Sequence, residues 1–166
     1  MRVLVVAASK HGSTAEIATA LGQALAHRGI TTTVADAEDV ADLEEYDAVV
    51  LGSAVYAGRW RKAARELAER HGVFLSSRPV WLFSSGPVGD PLKPEEDPVD
   101  VEQIVTIVGA RGHRVFAGKI DKSRLGLAEK ALVKSLKVPE GDYRNWDDVA
   151  AWAAEIAGTL LGGGAG

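Results

Sequence analysis

The stretch Val3-Leu4-Val5-Val6-Ala7-Ala8-Ser9-Lys10-His11-Gly12-Ser13-Thr14 decides the fold. Its first half is an unbroken apolar run, the pattern of a strand buried on both faces of a sheet. Its second half is a polar loop. Glu16, three residues after Ser13, completes a capping box, and Ile17, Leu21, Ala24 and Leu25 then follow a helical period.

The same strand, loop and helix sequence recurs along the chain. Ala48-Val49-Val50-Leu51 and Val80-Trp81-Leu82-Phe83 are further continuous apolar runs, while Thr32-Thr33-Val34-Ala35 and Arg114-Val115-Phe116-Ala117 are more mixed and suit strands nearer the edges. Trp60, Ala63, Ala64, Leu67 and Ala68 make a second helical stripe. Asp97 as N-cap with Pro98 at the first helical position predicts a third, carrying Val101, Ile104, Val105 and Val108 inward. Asn145 opens the last, with Val149, Trp152, Ala153, Ile156 and Leu160 on one face. Arg28-Gly29, His71-Gly72 and Arg111-Gly112 each place a cation before a glycine, a helix-closing pattern. Residues 39–46 are too few for a full helix and predict a connection of one or two turns. Alternation of this kind implies parallel strands with right-handed crossovers, so the expected class is α/β, a doubly wound sheet of five strands.

With 166 residues the chain is expected to make one domain, over residues 1–161, followed by a flexible Gly-rich tail at 162–166. Nineteen basic against 23 acidic side chains leave a net charge of −4, which gives no overall attraction to nucleic acid. The absence of cysteine excludes disulfides, thiol catalysis and iron–sulfur ligation in this chain. No apolar run is long enough to span a membrane, and residues 3–8 are too short for a secretory signal, so the expected location is the cytoplasm.

Ligands of open parallel sheets bind beyond the carboxyl ends of the strands, where the strand order reverses. The loops after the first, third and fourth strands are therefore the informative ones. Ser9-Lys10-His11-Gly12-Ser13-Thr14 offers three hydroxyls and backbone N–H groups at a helix start, where the helix dipole favours an anion. It lacks the GxxxxGK[ST] and GxGxxG spacings, so a monophosphate is a better guest than a triphosphate or pyrophosphate. Simple helix capping by Ser13 is the competing reading. In Gly52-Ser53-Ala54-Val55-Tyr56-Ala57-Gly58-Arg59-Trp60, small residues allow a flat ligand to approach the backbone. Tyr56 is the candidate to cover an aromatic face, whereas Trp60 reads as the first core residue of the next helix. Ser84-Ser85-Gly86-Pro87-Val88-Gly89-Asp90 exposes backbone groups suited to the edge of a heterocycle.

The spacing of the four histidines makes no metal site: His27 and His71 fall near helix ends, His113 opens a strand, and only His11 lies in a candidate loop. Glu95-Glu96-Asp97 reads as a solvated helix entrance.

The first loop resembles the FMN-phosphate loop of the flavodoxins, and residues 52–58 and 84–89 resemble the two segments that hold the isoalloxazine ring in that family. The resemblance spans nearly the whole chain and implies strand order 2-1-3-4-5. It implies FMN as cofactor, held by Ser9, Lys10, His11, Gly12, Ser13 and Thr14, by Ser53, Ala54, Val55, Tyr56, Ala57 and Gly58, and by Ser85, Gly86, Pro87, Val88 and Gly89. Ser9 and His11 stand where electron-shuttle flavodoxins usually carry Thr. Ala117-Gly118-Lys119-Ile120 and Asp142-Tyr143-Arg144-Asn145-Trp146 resemble the menaquinone-dependent protoporphyrinogen oxidase branch, which inserts a segment before the last helix. Here that insertion is residues 119–141. Receiver domains share the strand order, but their acidic sites are occupied by Ala8-Ser9 and Gly52-Ser53.

Residues 119–137 carry a net charge of +4, from Lys119, Lys122, Arg124, Lys130, Lys134 and Lys137 against Asp121 and Glu129, with Leu125, Ala128, Leu132 and Leu136 at helical spacing. A basic amphipathic helix suits either packing on the domain or peripheral contact with the anionic inner face of a membrane. The expected function is an FMN-dependent oxidoreductase acting on a porphyrinogen- or quinone-type partner, with no catalytic side chain assigned. A carrier docking protein partners and a flavin-free binding module are the alternatives.

Overall fold

The computed structural model describes residues 1–86, 98–121, 123, 125–136 and 140–162. Five parallel strands form the central sheet: β1 (Arg2–Ala8), β2 (Thr31–Asp36), β3 (Ala48–Tyr56), β5 (Val80–Ser85) and β6 (Gly112–Phe116). They lie in the order β2-β1-β3-β5-β6, the expected 2-1-3-4-5 arrangement. A short β4 (Arg59–Trp60) pairs back antiparallel onto the end of β3.

Side chains alternate across a strand, and here both faces are covered. Val3, Val5 and Ala7 face one core with Val50, Phe83 and Phe116, under α1 (Ser13–Ala26) and α6 (Trp146–Gly162). Leu4, Val6 and Ala8 face the other with Val49, Leu51 and Leu82, under α2 (Lys62–Arg70), α3 (Gly72–Ser76) and α4 (Val101–Val108). On the first face Phe83, Phe116 and Trp152 meet edge-on or tilted, with ring centroids 5.5–6.2 Å apart.

Several local expectations change. Ser13 is the first helical residue, not the N-cap; Gly12 occupies that place with φ 90°, and no side chain caps the helix. The Arg28-Gly29 ending holds, with Gly29 left-handed and Ile30 N–H returning to the Leu25 carbonyl. At His71-Gly72 the chain instead continues into α3, with buried Gly72 packed on Ile107. Gly109, at φ 63°, closes α4, and Gly112 already belongs to β6. Pro98 precedes α4 rather than opening it, Asp100 being the N-cap; Asp97, Glu95 and Glu96 lie outside the described residues. The connection predicted at 39–46 has its helical turn at Ala37–Asp39, and residues 40–47 are irregular.

Asn145 does cap the last helix: its side-chain oxygen accepts from the N–H groups of Asp147 and Asp148. Val149, Trp152, Ala153, Ile156 and Leu160 are its buried face. The helix runs through Gly162, the first residue of the expected tail; 163–166 lie outside the described residues.

Between β6 and α6 the chain leaves the sheet. A ladder of β7 (Lys119–Ile120) and β8 (Gly141–Asp142) closes the base of this excursion, and α5 (Leu127–Leu136) lies within it. No helix among the described residues is long and apolar enough to cross a membrane.

Candidate functional site

The carboxyl ends of β1, β3 and β5 bring the first loop, the β3–β4 turn and Gly86 to one end of the sheet. In the first loop the left-handed Gly12 turns the chain into α1, and its N–H donates to Ser9 Oγ at 3.1 Å. The first helical bond runs from Glu16 N–H to the Gly12 carbonyl, so the N–H groups of Ser13, Thr14 and Ala15 point out of the helix end. Ser13 Oγ is buried and has no hydrogen-bond partner among the described residues. An orphaned hydroxyl at a helix N-terminus, beside outward N–H groups, is a donor set suited to a phosphate.

Lys10 and His11 of the same loop both meet Glu129. Lys10 Nζ lies 2.5 Å from Glu129 Oε1, and His11 Nε2 lies 2.7 Å from Glu129 Oε2. Because the carboxylate only accepts, this His11 nitrogen carries hydrogen. Burial works to raise the Glu129 carboxyl, but its hydrogen bonds and proximity to Lys10 and His11 outweigh that and hold it below its ordinary range. Glu129 comes from α5, more than a hundred residues away, and nothing in its local sequence pointed to this loop.

A second tie reaches the same helix start. The Arg144 guanidinium, only 4% exposed, donates to both Asp142 carboxylate oxygens at 2.7 and 2.9 Å, and to the Ser13 carbonyl at 3.3 Å. Glu16 lies 3.5 Å away, and the guanidinium sits over the Trp146 ring. The Arg144 hydrogen bonds pull the Asp142 carboxyl below its usual range.

The second candidate loop is largely strand. β3 extends through Gly52, Ser53, Ala54, Val55 and Tyr56, all taken as loop in the sequence, because Ser53 and Ala54 pair with Ser84 and Ser85 of β5. The Ser53 hydroxyl is already engaged, donating to the Ala54 carbonyl and accepting from Arg61 N–H. Only Ala57 and Gly58 form the turn, both left-handed at φ 51° and 75°. Ala57 is the one non-glycine among the described residues in that conformation, which costs an L-residue roughly 1–2 kcal/mol.

Tyr56 is half-buried at the end of β3, with Lys10 Nζ 5.2 Å from its ring centroid and the His11 ring edge-on at 6.3 Å. Burial and the Glu129 charge push its hydroxyl up to about 12, against the opposing pull of Arg61. First loop, second loop and excursion therefore meet around one tyrosine.

Trp60 is a buried core residue as expected, although in β4 rather than in a helix. Its N–H donates to the Asp100 carboxylate, and its indole N–H to Ser84 Oγ at 2.8 Å. Ser84 Oγ also lies 2.7 Å from His113 Nε2, so the half-buried His113 extends this polar network. Gly58 is fixed as well, its carbonyl accepting from Val99 N–H at 2.8 Å.

In the third loop Ser85 is buried in β5, and Gly86 N–H donates to the Phe116 carbonyl. Gly118 approaches the Gly86 backbone so closely that an added Cβ would sit 3.1 Å from Gly86 Cα. Pro87, Val88 and Gly89 lie outside the described residues. Among the described residues no three His, Cys, Asp or Glu side chains converge to hold a metal.

Comparison with known proteins agrees with this geometry. The flavodoxin domain family matches residues 4–147. The protoporphyrinogen IX dehydrogenase (quinone) of Escherichia coli K12 is 26% identical over 174 residues, covering 95% of each chain. A flavodoxin from the domain Archaea superimposes with a TM-score of 0.64 at 16% identity, covering 97% of this chain and 99% of that one. The rubredoxin:oxygen oxidoreductase of Desulfovibrio gigas gives 0.66 at 14% identity, over 97% of this chain and 36% of that one. The chain belongs to the flavodoxin domain family, a flavoprotein family whose cofactor, FMN, matches the donor set at the start of α1.

Proposed function

We propose that the chain is an FMN-dependent oxidoreductase that takes electrons from a porphyrinogen-type substrate and passes them to a quinone. The observation that carries the cofactor half is the buried Ser13 hydroxyl, without a hydrogen-bond partner among the described residues, at the outward N–H groups of α1, in the loop that carries Lys10 and His11. Those groups hold the phosphate; Tyr56 flanks the ring, and the backbone of Ala57, Gly58 and Gly86 addresses its edge. FMN supplies the redox chemistry when bound, and no side chain has to act as acid, base or nucleophile. The high pKa of Tyr56 keeps its hydroxyl un-ionised at neutral pH, so it presents a neutral surface to the ring.

The substrate half rests on the E. coli relative, which is matched over nearly its full length. A carrier reading fits less well: shuttles of that kind depend on strongly acidic surfaces for steering, and this chain carries only −4 with a basic excursion. Lys119, Lys130 and Lys134 are exposed, which supports contact with an anionic membrane where a quinone dissolves. Vesicle pelleting at low and high salt tests that contact; binding indifferent to salt or lipid charge removes it.

The primary test is a visible spectrum of the purified protein, followed by titration of the apoprotein with FMN and riboflavin. FMN bound far more tightly than riboflavin is the expected result, and affinity for neither leaves only a binding module. Turnover of protoporphyrinogen with a soluble menaquinone analogue then separates the enzyme from a carrier, which shows none.

A further inference from the structure

The excursion between β6 and α6 adds nothing to the central sheet, yet it is fastened to the phosphate loop at two points. Its base is closed by the β7–β8 ladder and by Tyr143 N–H donating to the Gly118 carbonyl. From just beyond that base, Arg144 grips the first turn of α1 through the Ser13 carbonyl. From α5, Glu129 gives one carboxylate oxygen to Lys10 and the other to His11.

We propose that Glu129 is a positioning residue for the cofactor's phosphate end: its carboxylate holds Lys10 and His11 over the start of α1, and thereby makes FMN retention depend on the excursion. This rests on the FMN reading above. Lys10 is a long side chain with 42% exposure, and without a partner its ammonium would sample many rotamers. Charge-assisted bonds to a carboxylate that is itself 13% exposed select one arrangement. The lysine keeps two further N–H donors for an incoming phosphate. With Lys10 this open to solvent the pair adds little to folding stability, so its effect falls on the placement of charge. Glu129 also adds negative charge near the site, an effect opposite in sign to positioning.

Those two effects predict opposite shifts, which makes the test decisive. FMN and riboflavin dissociation constants are measured on the full-length apoprotein for wild type, Glu129→Ala and Glu129→Gln, with circular dichroism and thermal melting as folding controls. Positioning predicts FMN affinity reduced by about tenfold in Glu129→Ala, with riboflavin changed less than about twofold. It also predicts that Glu129→Ala has no further effect in a Lys10→Ala/His11→Ala background. Unchanged or tighter FMN binding in both single variants overturns the proposal, as does a loss that persists undiminished in that background. If wild type itself binds FMN no better than riboflavin, the FMN reading falls first and takes this inference with it, a result distinct from failure of the Glu129 variants alone.

Discussion

The two ends of the proposed flavin site are built in different ways. At the ring end the turn is set by main chain and buried polar groups: Ser53 on Arg61 N–H, Trp60 on Asp100 and Ser84, Ser84 against His113. At the proposed phosphate end, Lys10 and His11, exposed and part-buried, precede a helix start and are tied to Glu129, while Arg144 reaches the Ser13 carbonyl. The ring end is therefore inseparable from the core, whereas much of the phosphate end is adjustable without cost to the fold. Substitutions should separate accordingly, into losses of stability at one end and losses of affinity at the other.

The largest effect is expected from Trp60→Ala, which empties a nearly fully buried site and removes the indole N–H that Ser84 Oγ accepts, while the backbone N–H to Asp100 is kept. Removal of such a side chain costs roughly 3–5 kcal/mol, so the urea midpoint of the apoprotein should fall steeply. A midpoint within experimental error of wild type would mean that the ring turn is independent of the core. Gly52→Ala comes next. A Cβ there would lie 2.2 Å from the Phe83 ring, which is itself wedged against Phe116 and Trp152. Overpacking of this kind costs about 1–3 kcal/mol, read in the same unfolding experiment.

Ser13→Ala probes the opposite end. It deletes a buried hydroxyl that has no hydrogen-bond partner among the described residues, so apoprotein stability should hold or rise slightly. FMN affinity should fall by about tenfold, the worth of one hydrogen bond to a charged group, with riboflavin binding unaffected. An equal loss for both flavins would place Ser13 in the fold and not in the phosphate cradle, and would erase the contrast between the two ends.

The same contrast explains what could be read in advance. β1, the start of β5 and the buried face of α6 were legible because hydrophobic period is a local signal and both sheet faces are covered. The extension of β3 was not, since Gly52, Ser53 and Ala54 are poor strand formers held in the ladder by β5 and by the Phe83 ring. The helix start at Ser13 was misjudged for a related reason: a left-handed Gly12 does the turning and frees the serine from capping. Gly109 closes its helix without a preceding cation, so it lacks the pattern that Arg111-Gly112 shows. The loops after β1, β3 and β5 gather at one end of the sheet as the topology requires, but the ties of Glu129 and His113, and the reach of Arg144 from its recognisable motif to the Ser13 carbonyl, are made across the tertiary structure and have no local sequence signal.

The smallest effect, on pH, tests whether the excursion's tie is electrostatic. Glu129 faces Lys10, His11 and Tyr56, and its carboxyl is held below its ordinary value in the folded protein. A folded-state pKa depressed in this way contributes stability that is present above the unfolded carboxylate value and is lost as pH falls through the folded one. With a partner as exposed as Lys10 the contribution is at most about 1 kcal/mol. The difference in urea midpoint between wild type and Glu129→Gln should therefore be small at neutral pH and should vanish on acidification below the carboxylate range. A difference that persists or grows at acid pH would show that the glutamate acts through packing, and that the tie between excursion and phosphate loop does not depend on its charge.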